Sequence, residues 1–312
     1  MDYFNNLFGH EEIKESINRA FDTGRLHHAL MICGIDGIGK RSLSNAIARK
    51  LLSENSANPE KTLSRIENGT HEDLIVVDIN WGVKNPGSTI KVEAIRELES
   101  RIHSGPFESD SLVVIIDSAI KMTTQSANAL LKTLEEPPGG TYLLLLAPSP
   151  DAVLPTIRSR CQIYHLKPLS IARMRQFAAI VTPQLTEKQS DFAIDISQGS
   201  PGIYKEFTGS EMFIELSQLV EKMIESVISG NLRDIFTLTD RLSSLDAENM
   251  IKVFDLFQFR ISRILKNGPV KRNPPVNADK WYETLVSATG SLKTNVNKRL
   301  FFEQLLWTMR RT

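Results

Sequence analysis

A glycine-rich segment that joins a predicted strand to a predicted helix constrains this sequence more than any other feature. Residues 34–42 have the sequence GIDGIGKRS, with Gly34, Gly37 and Gly39 preceding Lys40. This GxxxxGK spacing is typical of phosphate-binding loops. In such loops, backbone N–H groups and a helix N-terminus surround phosphate oxygens, and the lysine reaches the terminal phosphates. The sequence therefore predicts an α/β fold with a candidate nucleotide site at these four residues.

Short apolar segments alternate with amphipathic, helix-length segments through the first half of the chain. The pattern predicts strands at residues 29–33, 73–79, 112–116, 142–147 and 162–165, and helices at 40–52, 92–102 and 126–135. Continuous apolar strands separated by helices are typical of a parallel sheet that is covered on both faces. The polar segment 53–70 is interpreted as a linker or an insert.

The pattern changes near Pro168, because only amphipathic helices are predicted beyond it. The chain has 312 residues, which is more than one compact core usually holds. A plausible second boundary lies at Thr208, Gly209 and Ser210. We therefore predict an α/β domain over residues 1–168, a small all-α domain over 169–209 and a larger all-α domain over 210–312.

Composition excludes several classes of function. The formal net charge is zero, whereas a protein that grips DNA over its whole surface is usually basic. Two cysteines, Cys33 and Cys161, provide no disulfide framework, which indicates a reducing compartment. The acidic N-terminal segment does not resemble a signal peptide. No apolar stretch approaches the roughly 20 residues that span a bilayer. We expect a cytoplasmic protein without a membrane partner.

Two positions that a magnesium-dependent ATPase needs are changed in this sequence. The residue after the loop lysine should carry a hydroxyl that binds Mg²⁺, but it is Arg41, and Ser42 would point about 100° away on the helix. Asp117 ends the third strand and could hold the magnesium water shell, or it could simply cap the strand. Ser118 then stands where a glutamate would orient the attacking water. We expect no competent hydrolysis, and two alternatives remain: weak nucleotide binding, or a relic loop that only maintains the fold.

Two longer motifs resemble those of the bacterial DNA polymerase III clamp-loader family within the AAA+ superfamily. Residues 126–138 (SANALLKTLEEPP) are similar to a helix and its stop in the ATPase and delta-prime subunits, and residues 154–162 (LPTIRSRCQ) to their SRC motif. Residues 26–30 and 90–96 also resemble delta-prime, and residues 199–202 resemble the turn that opens the sensor helix of the second domain. The resemblance implies an α/β AAA+ domain with a parallel sheet, then a small helical lid domain, then a helical collar domain for oligomerisation.

The SRC segment carries two arginines that differ in expected role. A guanidinium at this edge of a AAA+ ring can reach the γ-phosphate that a neighbouring subunit holds and can stabilise charge in the transition state. By the resemblance, Arg160 is that arginine finger, which acts in trans. Arg158, two positions earlier, would project to the other side and serve structure. The alternative is that both arginines form ordinary salt bridges.

Departures from the family pattern favour delta-prime over an ATPase subunit. Many family members carry a four-cysteine zinc module after the loop helix, but residues 53–70 contain no cysteine, so no zinc or other metal is expected. The lone His71 is expected to face solvent. The loader ATPases also carry an arginine shortly after the turn at Gly202, whereas Ile203, Tyr204 and Lys205 follow it here.

The resemblance implies a subunit of the DNA polymerase III holoenzyme that helps to load the sliding clamp on primed DNA and is not catalytic alone. Its implied partners are the gamma/tau ATPase subunits and the delta subunit, with the clamp and primed DNA in the same complex. Weak ATP or ADP binding at the degenerate site is the one cofactor left open. The alternative is an active, gamma/tau-like ATPase that uses Lys40, Asp117 and Mg²⁺.

Overall fold

The chain forms two compact units in the computed structural model, which describes residues 3–82, 88–209, 213–229, 232–266, 278–292 and 297–311. The first unit comprises Met1–Ile180 and Ser197–Ile203, and the second comprises Val181–Ile196 and Tyr204–Thr312. The predicted division into three domains, with boundaries after residues 168 and 209, stays a prediction. Residues 210–212, where the second boundary falls, lie outside the described residues.

A five-stranded parallel sheet forms the centre of the first unit. The strands lie in the order β2-β3-β4-β1-β5. Their bounds are β1 Ala29–Cys33, β2 Leu74–Val77, β3 Leu112–Ile116, β4 Thr141–Ala147 and β5 Gln162–His165. Every residue of β1 and β3 is buried, as expected for strands with helices on both sides. The predicted parallel sheet is confirmed.

Helices cover both faces of this sheet. Successive strand side chains point to opposite faces, so Met31 and Ile32 enter different cores. Met31 shares its core with Leu98 and Leu130, whereas Ile32 shares its core with Leu43 and other apolar helix residues. The helices are α1 Glu11–Asp22, α2 Lys40–Ser53, α3 Pro59–Glu67, α4 Val92–His103, α5 Thr124–Glu135, α6 Pro155–Arg158 and α7 Ile171–Val181.

The polar segment 53–70, which the sequence suggests is a linker or an insert, contains the helix α3. The Asn58 side chain caps this helix by accepting a hydrogen bond of 3.1 Å from the backbone N–H of Lys61. Pro59 occupies the first helical position, where its missing N–H costs nothing. The buried Ile66 attaches the helix to the core. These capping signals outweigh the polar composition of the segment.

The described residues of the second unit form helices and no strands. Phe254, Phe257 and Phe302 are buried in its core, and the Trp281 indole N–H donates to the Met309 carbonyl at 2.6 Å. The predicted helical second half is confirmed. Its helices are α8 Glu187–Ser197, α9 Pro201–Thr208, which begins within the first unit, α10 Phe213–Ser229, α11 Leu232–Ser243, α12 Ala247–Lys266, α13 Ala278–Leu292 and α14 Lys298–Arg311.

One buried carboxylate fixes the loop between α4 and β3. Asp73 is fully buried and accepts hydrogen bonds from the backbone N–H groups of Phe107, Glu108 and Ser109 at 2.6, 2.9 and 2.9 Å. The Arg101 guanidinium lies 3.1 Å from the same carboxylate. Burial alone would raise the pKa of Asp73, but the hydrogen bonds outweigh burial and hold its pKa below the ordinary value.

His71 is buried beside this loop, so the expectation that it faces solvent was wrong. Only 5% of its surface is exposed, and its Nδ1 accepts a hydrogen bond of 3.2 Å from the Asp73 backbone N–H. The Glu108 carboxylate lies 3.5 Å from the same nitrogen. Burial lowers the pKa of His71, although Glu108 and Asp73 oppose that effect.

We predict that Asp73→Asn lowers the free energy of unfolding by about 3 kcal/mol, because it removes one partner of a buried ion pair. The folded-state pKa of Asp73 is depressed, so its stabilisation is present above the ordinary pKa of an aspartate. That stabilisation is lost as pH falls through the folded-state pKa. Denaturant unfolding at pH 7 and at acidic pH should show a difference between wild type and variant that shrinks on acidification.

Asp110→Asn serves as the matched control, since this carboxylate is exposed and accepts a single side-chain hydrogen bond from Asn55. It should change the unfolding free energy by no more than about 0.5 kcal/mol. Equal losses in the two variants would contradict a special role for Asp73.

Candidate functional site

The glycine-rich loop stands between β1 and α2, as its spacing predicts. β1 lies between β4 and β5 in the sheet, and α2 begins at Lys40. Gly39, the residue before the helix, has a φ of 112°, a conformation that side chains rarely adopt. A Cβ at this position would also lie 2.5 Å from Leu7 Cδ1. Glycine is therefore required where the loop enters the helix.

The lysine of the loop is bound by the loop itself. Lys40 Nζ donates to the carbonyl oxygens of Gly34 and Ile35 at 2.6 and 3.0 Å, and to Asp36 Oδ1 at 3.2 Å. Only 14% of its side chain is exposed. The ammonium group that a phosphate-binding loop offers to a ligand thus has three oxygen partners from its own chain.

Arg41 and Asp117 form an ion pair that neither motif predicted. Asp117 follows the last residue of β3, and its carboxylate Oδ2 lies 2.8 Å from Arg41 Nη1 at the start of α2. The side chains are 42% and 41% exposed, so the contact is open to solvent on one side. The pair joins the first turn of α2 to the carboxyl end of β3.

Magnesium does not fit the residues at this position. Mg²⁺ requires oxygen ligands at about 2.0–2.1 Å in near-octahedral geometry. A guanidinium offers only N–H donors and stays protonated, so Arg41 cannot be a ligand. Its charge already neutralises Asp117, the carboxylate that would hold the magnesium water shell.

Ser118 provides no base beside Asp117. It has a left-handed backbone with φ of 66°, and its carbonyl accepts from the Lys121 N–H at 2.8 Å in a short 3₁₀ turn. A serine hydroxyl is a poor general base at neutral pH. The geometry therefore supplies neither a metal ligand at Arg41 nor a carboxylate at Ser118 for water activation.

The turn at residues 199–202 packs directly on the glycine-rich loop. The Ser200 hydroxyl donates to the Asp36 carbonyl at 2.8 Å, and the Gly202 N–H donates to the Gly37 carbonyl at 2.8 Å. A Cβ on Gly37 would lie 2.5 Å from Ser200 Oγ, and one on Gly202 would lie 2.6 Å from Gly37 Cα. Both glycines are needed for two backbone segments to approach this closely.

Arg160 lies in the turn after α6 with every guanidinium nitrogen engaged. Its Nε donates to Glu135 Oε1 at 2.7 Å, Nη2 contacts the same carboxylate oxygen, and Nη1 donates to the Thr156 carbonyl at 2.9 Å. A third of the side chain is exposed. The guanidinium is thus held near the surface by contacts within the chain, chiefly with the last residue of α5.

Arg158 takes a different partner from Arg160. It pairs with the carboxylate of Asp151, which is 85% exposed. Each arginine of the SRC segment therefore forms a salt bridge within the chain, which is the alternative that the sequence left open. Exposed pairs of this kind contribute up to about 1 kcal/mol, so they do not prevent a stronger anion from recruiting either guanidinium.

Three further contacts at the site, besides the pair of Arg41 and Asp117, were missed by sequence reasoning. His10 Nε2 lies 3.3 Å from the Ile38 carbonyl in the loop, and burial lowers the pKa of this histidine. Ser200 and Glu135 bind the loop and the candidate finger, respectively. Ser200 and Glu135 lie in motifs that resemble those of a family, residues 199–202 and 126–138. A motif does not indicate which partner a side chain contacts.

The described residues contain neither a cluster of metal ligands nor a membrane-spanning helix. No group of three or more His, Cys, Asp and Glu side chains in those residues is arranged to hold a metal ion. None of the helices in the described ranges has the length and apolarity needed to cross a membrane.

Comparisons with known proteins point to one family. A family model described as "DNA polymerase III, delta subunit" matches residues 9–170. DNA polymerase III subunit delta' of Escherichia coli is 31% identical over 225 residues, which cover 70% of this chain and 65% of the relative. DNA polymerase III subunit tau of Salmonella typhimurium is 34% identical over 177 residues, which cover 55% of this chain and 26% of the relative. The chain thus spans less than two thirds of the length of these relatives.

A solved structure, a DNA polymerase III gamma subunit-related protein from Thermotoga maritima, is similar over 95% of this chain and 98% of its own. Its TM-score is 0.47 and its sequence identity is 19%. The family model matches more than half of the residues, and the strands of the parallel sheet lie within its range or close to it. The chain therefore belongs to the DNA polymerase III clamp-loader family, whose members have the AAA+ fold.

Proposed function

We propose that this chain is the delta-prime subunit of a DNA polymerase III clamp loader and that it does not hydrolyse ATP itself. In this role it is a stator that completes the ATP site of a neighbouring ATPase subunit through Arg160. Its partners are the gamma/tau ATPase subunits and the delta subunit, and the complex loads the sliding clamp on primed DNA. We place the protein in the cytoplasm and propose no membrane partner for it.

The observation that carries this proposal is the ion pair between Arg41 and Asp117. It occupies the two positions at which an active family member would organise Mg²⁺, and Ser118 removes the base from the same site. A subunit without its own hydrolysis remains useful in a ring if it contributes to the site of a neighbour. The SRC arginine is the group in this chain that suits such a contribution.

The chemistry of Arg160 supports its role as a finger. A phosphate oxygen forms stronger charge-assisted hydrogen bonds with a guanidinium than neutral partners do, and Arg binds phosphate in a bidentate manner. The present partner, Glu135, is half exposed, so its hold on Arg160 is weakened by solvent. A γ-phosphate presented by a neighbour can therefore displace Glu135.

An active gamma/tau-like ATPase is the second candidate, because the identity to the tau relative is comparable to that of the delta' relative. Such an enzyme would use Lys40, Asp117 and Mg²⁺. Against it stand Arg41, Ser118 and the absence of an arginine at residues 203–205. These three departures affect separate elements of one reaction, so we favour delta-prime.

We predict that the purified chain releases no phosphate from ATP above the background rate, because the magnesium ligand and the base are replaced. A phosphate-release assay with wild type and Lys40→Ala tests this prediction, and both proteins should give the same trace. Steady release by wild type that disappears in Lys40→Ala would favour the gamma/tau-like alternative.

We also predict that the chain carries no structural zinc, since two cysteines cannot complete a four-cysteine site. Metal analysis of the purified protein should find no stoichiometric zinc. One equivalent of zinc would count against the delta-prime subtype proposed above.

For the finger, we predict that Arg160→Ala leaves folding and assembly intact but slows hydrolysis at one site of the ring. A trans arginine contributes on the order of 10³-fold or more to phosphoryl transfer in related enzymes. Because the other sites keep their own fingers, total ATPase activity should fall partially and clamp loading more severely. The measurement is ATPase and loading on primed DNA by a reconstituted complex.

Arg158→Ala is the matched control for that experiment, because Arg158 lies in the same segment and forms a similarly exposed salt bridge. Complexes with this variant should load clamps at nearly the wild-type rate. If Arg160→Ala assembles and also loads at the wild-type rate, the finger assignment is wrong and the SRC segment is only an interface.

A further inference from the structure

We propose that the Arg41 guanidinium takes the place and the charge of the divalent cation in this loop, so that an internal ion pair replaces a magnesium nucleotide. In this arrangement Asp117 has the partner that a metal would otherwise provide. This replacement rests on the loss of ATP hydrolysis proposed above, which the same ion pair supports, and it does not depend on the role of Arg160.

The charges at this position favour replacement of Mg²⁺ by the Arg41 guanidinium over the binding of both at Asp117. A carboxylate that is left unpaired beside a loop with two cations would attract a metal or a solvent cation, but Asp117 lies 2.8 Å from a permanent one. Binding of Mg²⁺ at Asp117 would require Arg41 to leave, and would bring a divalent cation against the displaced guanidinium. The pair therefore excludes the metal by like charge as well as by occupying its ligand.

The lysine and two carbonyls of the loop also have partners within the chain. Lys40 is bound by two carbonyls and by Asp36, so its charge does not depend on a phosphate for compensation. The Gly37 carbonyl accepts from Gly202 and the Asp36 carbonyl accepts from Ser200. Contacts within the chain thus hold the loop lysine and two loop carbonyls without a nucleotide.

One consequence is that nucleotide and magnesium should leave the stability of this chain unchanged. A ligand that binds only the folded state lowers the unfolding equilibrium constant by mass action. The factor is one plus the ratio of the ligand concentration to its Kd. A chain whose loop is closed by its own cations has no such response. Restoring the hydroxyl at position 41 should create one, because it supplies a magnesium ligand and frees Asp117.

The test is thermal unfolding of the full chain as wild type, Arg41→Ser and Arg41→Lys, with ATP plus Mg²⁺, with ATP plus EDTA, and without nucleotide. Wild type should unfold at the same midpoint in all three conditions. Arg41→Ser should be less stable without nucleotide, and ATP plus Mg²⁺ at ten times its Kd should lower its unfolding constant about tenfold. ATP plus EDTA should have no such effect.

Arg41→Lys is the matched control, because it retains the positive charge but provides no metal ligand. It should remain unresponsive to ATP plus Mg²⁺. Asp117→Asn offers a second approach that does not alter the loop: it should lose stability as Arg41→Ser does, yet gain no response to magnesium nucleotide.

Three outcomes would overturn the proposal. A magnesium-dependent rise in the wild-type midpoint would mean that the metal binds despite Arg41. A response of Arg41→Lys equal to that of Arg41→Ser would mean that charge is not what excludes the metal. A folded Arg41→Ser that does not respond would assign the closure to the Gly37 and Gly202 contact instead.

If Arg41→Ser does not fold, equilibrium dialysis of wild type and Asp117→Asn against magnesium ATP decides. Stoichiometric binding of magnesium ATP by wild type would contradict the proposal.

Discussion

Parallel pairing of apolar strands brings every loop that follows a strand to one edge of the sheet. β1 and β3 are separated by β4 in the sheet, yet both end at that edge, so Arg41 and Asp117 meet although 76 positions separate them in sequence. The fully buried strands fix this geometry, because a register shift would displace the residues that both cores contain. The ion pair, the closed loop and the turn at Gly202 all depend on that constraint.

The fold thus retains the framework of a nucleotide site while its charges are rearranged. The loop cations in this chain have partners within it: Lys40 with carbonyls and Asp36, and Arg41 with Asp117. At the SRC segment the guanidinium of Arg160 is instead held by the exposed carboxylate of Glu135. The proposed function rests on both features: a loop whose two cations are paired, and an Arg160 whose partner is half exposed.

Much of this architecture was predictable from the sequence because its signals are local. Apolar runs placed β1, β3 and β5 at their observed bounds, and the GxxxxGK spacing placed the loop before α2. The helix α3, which Asn58 caps, was not predicted within its polar segment, and the expectation that His71 faces solvent was wrong because a loop distant in sequence contacts it. Contacts such as that between Glu135 and Arg160 depend on packing between separate elements, and no spacing rule encodes them.

We propose that the loop of this chain is closed by its own cations and that its Arg160 acts on a neighbouring subunit. A structure of the reconstituted clamp loader with a non-hydrolysable ATP analogue tests both at once. We expect the Arg160 guanidinium at about 3 Å from a γ-phosphate oxygen held by the adjacent subunit. We also expect an intact ion pair between Arg41 and Asp117. A magnesium nucleotide bound in this chain at Asp117, with Arg160 still on Glu135, would contradict both expectations.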